Sequence, residues 1–261
     1  MKIIVLLRMV PDVVEELEIA AGGKALDADL IRTIPGESDD HAVEQALLLK
    51  ERHGGMITVI APDAPEIDDA LYTAFAKGVD RAVKIECPPE GWSAREAAEA
   101  FAALLAARTD LMPADLILTG VQSVGDLDGL VAPIVAERLR LPYVGIVTAV
   151  NVDPAGSSAF VLKEFPGGVR GEYRIPLPAV LGIQAAEKPP RYVPVARVRA
   201  AMKTSRIDSA PAPEPAAESA ALIEIVSMRK PEMTGHAEML EGDPEAVAGK
   251  ICELLGARGL L

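Results

Sequence analysis

A chain of 261 residues that is 50% apolar can bury a sizeable core, either as one large α/β domain with an appendage or as two small domains. Its formal charge of −13, without a Lys/Arg cluster, argues against a nucleic-acid partner, and one Trp, four Tyr and four Phe are too few to build base-stacking platforms. Cys87 and Cys252 lie far apart without metal-ligand spacing, Met1 runs straight into a strand pattern, and no apolar run is long enough to span a bilayer. These features predict buried thiols in a reducing compartment, no transmembrane segment and a cytoplasmic location.

Lys2 to Leu7 is a continuous aliphatic run, the pattern of a strand buried on both faces, and Pro11 with Asp12 stops it. Gly22 and Gly23 sit between short apolar segments and predict a small hairpin outside the sheet. From Ser38, apolar residues Ala42, Val43, Ala46, Leu47 and Leu49 recur at helical spacing; Ser38 or Asp39 can cap this helix, and Gly54 with Gly55 ends it. Met56 to Ala61 is the next strand, Pro65 to Lys77 an amphipathic helix closed by Gly78, and Arg81 to Glu86 a third strand. Ser93 to Arg108 is an alanine-rich helix with a capping box made by Ser93 and Glu96.

Leu116 to Thr119 is a buried-type strand that runs into Gly120 and a glycine-punctuated polar loop, with a helix opening near Leu127 or Asp128 and ending at Leu139. Such a junction presents backbone N–H groups where phosphate can bind, although a plain βα turn would look the same. Tyr143 to Val152 is a further strand, and Ala159 to Phe165 with Val169 to Ile175 form a hairpin across Pro166–Gly168. Leu177 to Ile183 is the last aliphatic strand. The alternation predicts a doubly wound, mainly parallel α/β sheet of Rossmann, adenine-nucleotide-hydrolase-like type, with an edge β-hairpin and an extended C-terminal arm. The expected divisions are a nucleotide-binding domain over 1–187, an arm over 188–208 and a Pro/Ala/Glu-rich linker over 209–220. Residues 221–261 follow as a strand, Leu222 to Val226, and a short helix, Pro244 to Leu255, capped by Asp243 and packing on the main body or on a partner.

Reactive chemistry is sparse. The three histidines, His41, His53 and His236, fall in no nucleophile elbow or metal spacing, and His41 reads as an exposed residue at a helix start. Acidic pairs Asp39/Asp40 and Asp68/Asp69 sit at helix N-termini, where carboxylates favour the helix dipole. What remains is three strand ends, Leu6 to Arg8, Ala61 to Asp63 and Gly120 to Gly129, which can line one crevice beyond the carboxyl edge of the sheet.

Five segments in order resemble the β subunit of electron transfer flavoproteins: KIIVLLRMVPD, GESDDHAVEQALLLKE, AFAKGVDRAVKIE, TGVQSVGDLDGLVAP, and IPLPAVLGI with KPPRYVPVARVRAAMK. The resemblance implies an electron-carrier subunit rather than an enzyme, paired with a larger α subunit that holds most of an FAD. Such a pair takes electrons from a dehydrogenase donor, of acyl-CoA type, and delivers them to a downstream acceptor such as a quinone reductase. It also implies AMP, or in bifurcating members a second FAD, in the β crevice. Position by position, the adenine side falls at Leu6, at Gly36, Ser38 and Asp39, and at Ala61. The phosphate side falls at Gly120, Gln122, Val124, Gly125, Asp126, Leu127, Asp128 and Gly129, and partner docking at Arg191, Tyr192 and Val195. Gly36 and Glu37 stand where the family has Asn and Pro, and Asp128 sets a negative charge beside the phosphate position, which leaves AMP, FAD or an empty crevice open. The sheet and crevice alone also suit a stand-alone nucleotide-binding sensor resembling universal stress proteins.

Overall fold

The computed structural model describes residues 1–27, 29–88, 91–125, 128–213, 225–231, 235, 237 and 239–261. Lys2–Leu6 (β1), Met56–Pro62 (β4), Arg81–Ile85 (β5), Leu116–Gly120 (β6) and Ala179–Ile183 (β10) are short aliphatic strands, the last and β6 without an exposed residue. They pair in parallel, and with Tyr143–Val152 (β7), Ser158–Glu164 (β8), Arg170–Pro176 (β9) and Ile207–Ala210 (β11) they form one sheet of nine strands. Its order is β11-β5-β4-β1-β6-β10-β7-β8-β9, and only the β7–β8 and β8–β9 pairs are antiparallel, so the expected hairpin sits on an edge. Met9–Pro11 (β2) and Thr33–Pro35 (β3) make a small antiparallel pair beyond the end of β1.

Alternation along β1 divides the core. Ile3, Val5 and Leu7 join the layer under Glu37–His53 (α1) and Ile67–Lys77 (α2), while Ile4 and Leu6 join the layer under Ala94–Ala107 (α3) and Val131–Leu139 (α4). Helices therefore cover both faces, as continuous apolar strands require. The start of α3 is fixed by the expected capping box: Glu96 N–H donates to Ser93 Oγ at 3.3 Å and Ser93 N–H donates to Glu96 Oε2 at 2.8 Å.

Several boundaries differ from the expectations. The cap of α1 is Gly36, ahead of both Ser38 and Asp39, which lie inside the first turn. Helix α4 opens at Val131, not at Leu127 or Asp128. Gly129 has φ +62°, where any Cβ would stand 2.9 Å from Val121 O, and Asp128 Oδ1 accepts the N–H of Leu130 at 3.1 Å, so a turn occupies the place of the first helical turn. Residues 189–194 belong to no helix or strand, but Val195–Thr204, expected within the extended arm, is a helix (α5) and β11 follows it. The physical reason is burial. Val193 and Ala201, with Val198, pack on Phe75 and Ala76 of α2, and β11 pairs in parallel with β5, covering an edge that would otherwise stay open.

Ser209 and Ala210, expected in the linker, belong to β11, and residues 214–220 lie outside the described set. Of the strand expected over Leu222 to Val226, residues 222–224 also lie outside it, and Ile225 and Val226 form no strand. Pro244–Ala257 (α6) is helical as expected, with Asp243 Oδ1 accepting the N–H of Ala246 at 2.8 Å, and none of its residues is buried. The glycine hairpin is present as an antiparallel bridge between Ile19 and Leu26. No helix among the described residues is long and apolar enough to cross a membrane.

Candidate functional site

Parallel strands place all their carboxyl ends on one edge, and the loops after β1, β4, β5 and β6 enclose a cleft there. It has a volume of about 420 Å3 and is lined by Arg8, Asp63, Trp92, Ser123, Gly125 and Asp128, among others. The β2 segment, through Met9, Val10 and Pro11, separates it from a second cleft of about 720 Å3 on the side of α1 and α2.

The residues assigned to the site from sequence divide into two groups. Leu6 and Ala61, 1% and 0% exposed, are core residues of β1 and β4; the residues that reach the cleft come just after them, at Arg8, Pro62 and Asp63. Gly36, Asp39 and Gly120 meet behind the cleft. The Asp39 carboxylate, 5% exposed, accepts Gly120 N–H at 2.7 Å through Oδ1 and Arg8 N–H at 3.1 Å through Oδ2. A Cβ on Gly120 would stand 2.5 Å from Asp39 Oδ1 and 2.8 Å from the Cβ of half-buried Ser38, so glycine is what lets α1 sit on the end of β6. Asp39 thus ties the ends of β1 and β6 together.

In the loop, Gly125 and Asp128 line the smaller cleft and Val124 lines the larger. Gln122 is exposed, Gly129 forms the turn into α4, and Asp126 and Leu127 lie outside the described residues. Buried Ser123, 8% exposed, within the expected Gly120 to Gly129 stretch, also lines the smaller cleft, whereas Cys87 and Trp92 from the loop after β5 were missed. Applying the strand-end rule to β5 as well would have found the latter two.

The charges of the cleft are largely engaged. Asp63 lies 3.4 Å from Lys84, which also donates to Asp68 at 2.8 Å. The hydrogen bond to Asp68, against desolvation, holds the Lys84 ammonium above its ordinary pKa. Asp128 is committed to its turn, and Arg8 is the cationic side chain among the described lining residues. Among the described residues no cluster of three His, Cys, Asp or Glu could hold a metal ion. His41 is half-buried, not exposed at the helix start, and its Nδ1 accepts Ala186 N–H at 3.1 Å.

The residues assigned to docking are also distinct in kind. Arg191 Nε donates to both oxygens of Glu44 at 3.0 Å, its Nη2 to Glu44 at 2.7 Å and its Nη1 to Glu51 at 2.7 Å. Glu44 is 2% exposed, so this bidentate pair straps the arm to α1. Its carboxylate raises the Arg191 pKa further. Just beyond, Tyr192 and Val195 are 85% and 61% exposed. The root of the arm is fixed by Glu187, which accepts from Gln45 at 2.9 Å and from Arg52 at 2.6 Å. Burial opposes ionisation of Glu187, but these donors outweigh it and lower its pKa.

A doubly wound, mainly parallel sheet with its cleft beyond the strand ends defines a Rossmann-type α/β protein. The family model for the electron transfer flavoprotein domain matches residues 32–215. Among curated proteins, the chain is 32% identical to the electron transfer flavoprotein subunit beta of Syntrophomonas wolfei subsp. wolfei, over 97% of this chain and 95% of that one. It is 28% identical to the subunit of the same name from Methylophilus methylotrophus, over 98% of each, and 27% identical to that of Bacillus subtilis, over 98% and 97%. The chain belongs to the electron transfer flavoprotein β-subunit family.

Proposed function

We propose that the chain is the β half of an αβ electron carrier, moving electrons from an acyl-CoA-type dehydrogenase to a downstream acceptor such as a quinone reductase. FAD, held mainly by the α subunit, would supply the reducible ring; this chain would shape its surroundings, bind a structural nucleotide and dock partners. The observation that carries the nucleotide assignment is the cleft bounded by Arg8, Asp63, Ser123 and Gly125 at the strand ends. About 420 Å3 is near the small end of ligand cavities, roughly 300–1,000 Å3, and suits AMP better than a second FAD. Arg8 would face the phosphate, and Trp92 offers an aromatic surface for the base. Asp128 keeps its negative charge while accepting Leu130 N–H, so a bound phosphate would sit nearer Arg8 than Asp128.

The arm is the proposed docking element, with Tyr192 and Val195 presented outward and Arg191 holding it in place. The test is to co-purify the chain with an α-type partner, denature the complex and quantify FAD and AMP per pair. A single FAD with a single AMP is expected; two FAD would reassign the pair to bifurcation, and a chain that never associates with an α-type subunit would overturn the reading.

A further inference from the structure

The edge hairpin takes no part in the nucleotide cleft or in the docking of the arm. β10 pairs with β7 as far as Val147, while β7 runs on to Val152, so the second half of β7 is paired to the ribbon of β8 and β9 and not to β10. Within this ribbon Ala159, Val161 and Ile175 turn into the core under α1. Strand alternation puts Phe160 on the opposite face, 38% exposed, where with Leu162 and Glu172 it lines an open groove of about 690 Å3. Tyr173 lies beside Phe165 over Gly171, where a Cβ would stand 3.0 Å from the Tyr173 ring and 3.2 Å from that of Phe165. The two rings are 43% and 38% exposed, and Val169 at the turn is 60% exposed. A chain with four Phe, four Tyr and one Trp thus presents three of those rings outward on one ribbon. We propose that this hairpin, residues 158–176, is the seat of the α-type subunit, which covers the Phe160 groove and the Phe165–Tyr173 pair.

The identity of the partner rests on the αβ reading above; the place rests on composition, charge and area. Aromatic rings and arginines are what the centres of protein interfaces favour. The cations of the ribbon are already matched: Arg174 lies 5.8 Å from the Phe160 ring centre, Lys163 Nζ 5.3 Å from that of Phe165, and Arg170 3.0 Å from Glu164. Stacked or paired in the free chain, they lose less on docking than lone charges would. Residues 158–176 hold three cations and two acids in a chain of formal charge −13. The ribbon is close to neutral, so a protein can settle on it without ionic mismatch, whereas a second copy would bring a further −13 against the first. At these exposures Phe160, Phe165, Val169 and Tyr173 offer roughly 300 Å2, about two-thirds of the apolar share of one side of a standard interface. β9 and β11 are the two ends of the nine-stranded sheet, roughly 35 Å apart, and α5 leads into β11. An α subunit seated on the hairpin therefore leaves the arm free for a dehydrogenase.

Two readouts on the full chain co-expressed with its α-type partner test the seat. With Tyr173 replaced by the photoreactive p-benzoylphenylalanine, illumination should cross-link the chain to the α subunit, and the same probe in place of Met202 on α5 should give little or no such adduct. Phe160→Glu combined with Tyr173→Glu should raise the dissociation constant of the pair about thirty-fold or more, followed by sedimentation on dilution, while Lys203→Glu on α5 leaves it unchanged. If the double variant fails to fold, the Tyr173 adduct decides, since that replacement keeps an aromatic ring at an exposed position. A Tyr173 adduct with the α subunit no more abundant than that from Met202, or an unchanged dissociation constant in the folded double variant, overturns the seat. An adduct joining two copies of this chain through Tyr173 overturns it too, and makes the hairpin a contact between like chains. A wild-type chain that never pairs with an α-type subunit brings down the αβ reading itself, and the seat with it.

Discussion

The Asp39 carboxylate receives two backbone donors, Gly120 N–H at 2.7 Å and Arg8 N–H at 3.1 Å, from inside the first turn of α1. Both donors belong to residues at the exits of neighbouring strands, so this one side chain sets where the loops after β1 and β6 depart. Removing it leaves two N–H groups facing a void in a region where the carboxylate was only 5% exposed. Each unsatisfied buried donor costs about 1–3 kcal/mol. Asp39→Ala is therefore expected to lower the unfolding free energy of the chain by about 2–4 kcal/mol in denaturant titration and to weaken nucleotide binding as the two loops drift. A loss below about 0.5 kcal/mol, within the range of ordinary surface substitutions, would show that the strand ends hold without it.

At the scale of elements, the parts legible in the sequence are those whose burial is decided locally. Lys2–Leu6, Met56–Pro62 and Leu116–Gly120 are aliphatic on both faces, and the Ser93/Glu96 box marks the start of α3 without any tertiary information. What the sequence concealed depends on partners distant along the chain. The arm after Tyr192 has only one buried helical residue, Ala201, and its helix and strand exist because α2 and the edge of β5 are there to receive them. The site followed the same logic. The strand-end rule gave stretches that hold Arg8, Asp63 and Ser123, which reach the cleft, but of the single residues assigned within them Leu6, Ala61 and Gly120 are buried. A chain ending at Glu187 would lose α5 and β11 together. Its β5 edge would be unpaired, and Arg81 would lose its 2.8 Å partner Asp208. Such a truncation is expected to aggregate in size-exclusion chromatography, while a chain ending at Pro213 stays monodisperse under the same conditions.

At the scale of the molecule, the arm is anchored at one side and presented at the other. Arg191 is committed to Glu44 and Glu51, and Glu187 to Arg52 and Gln45, so the backbone between them has little freedom to move. Tyr192 and Val195 then stand outward from a fixed base, which lowers the ordering cost of binding a partner there. On the docking role proposed for the arm, a small aliphatic anchor such as Val195 would supply modest affinity, and a charge at its position would add desolvation to the lost contact. Val195→Asp, at a residue 61% exposed in the free chain, should leave folding, α-subunit pairing and bound nucleotide unchanged. The rate at which a reduced dehydrogenase bleaches the flavin of the complex should fall about ten-fold or more, and mainly through weaker partner binding, so that saturating dehydrogenase recovers most of it. Loss of flavin or of AMP in this variant would place Val195 at the α-subunit interface. An unchanged electron-transfer rate would remove the arm from docking altogether.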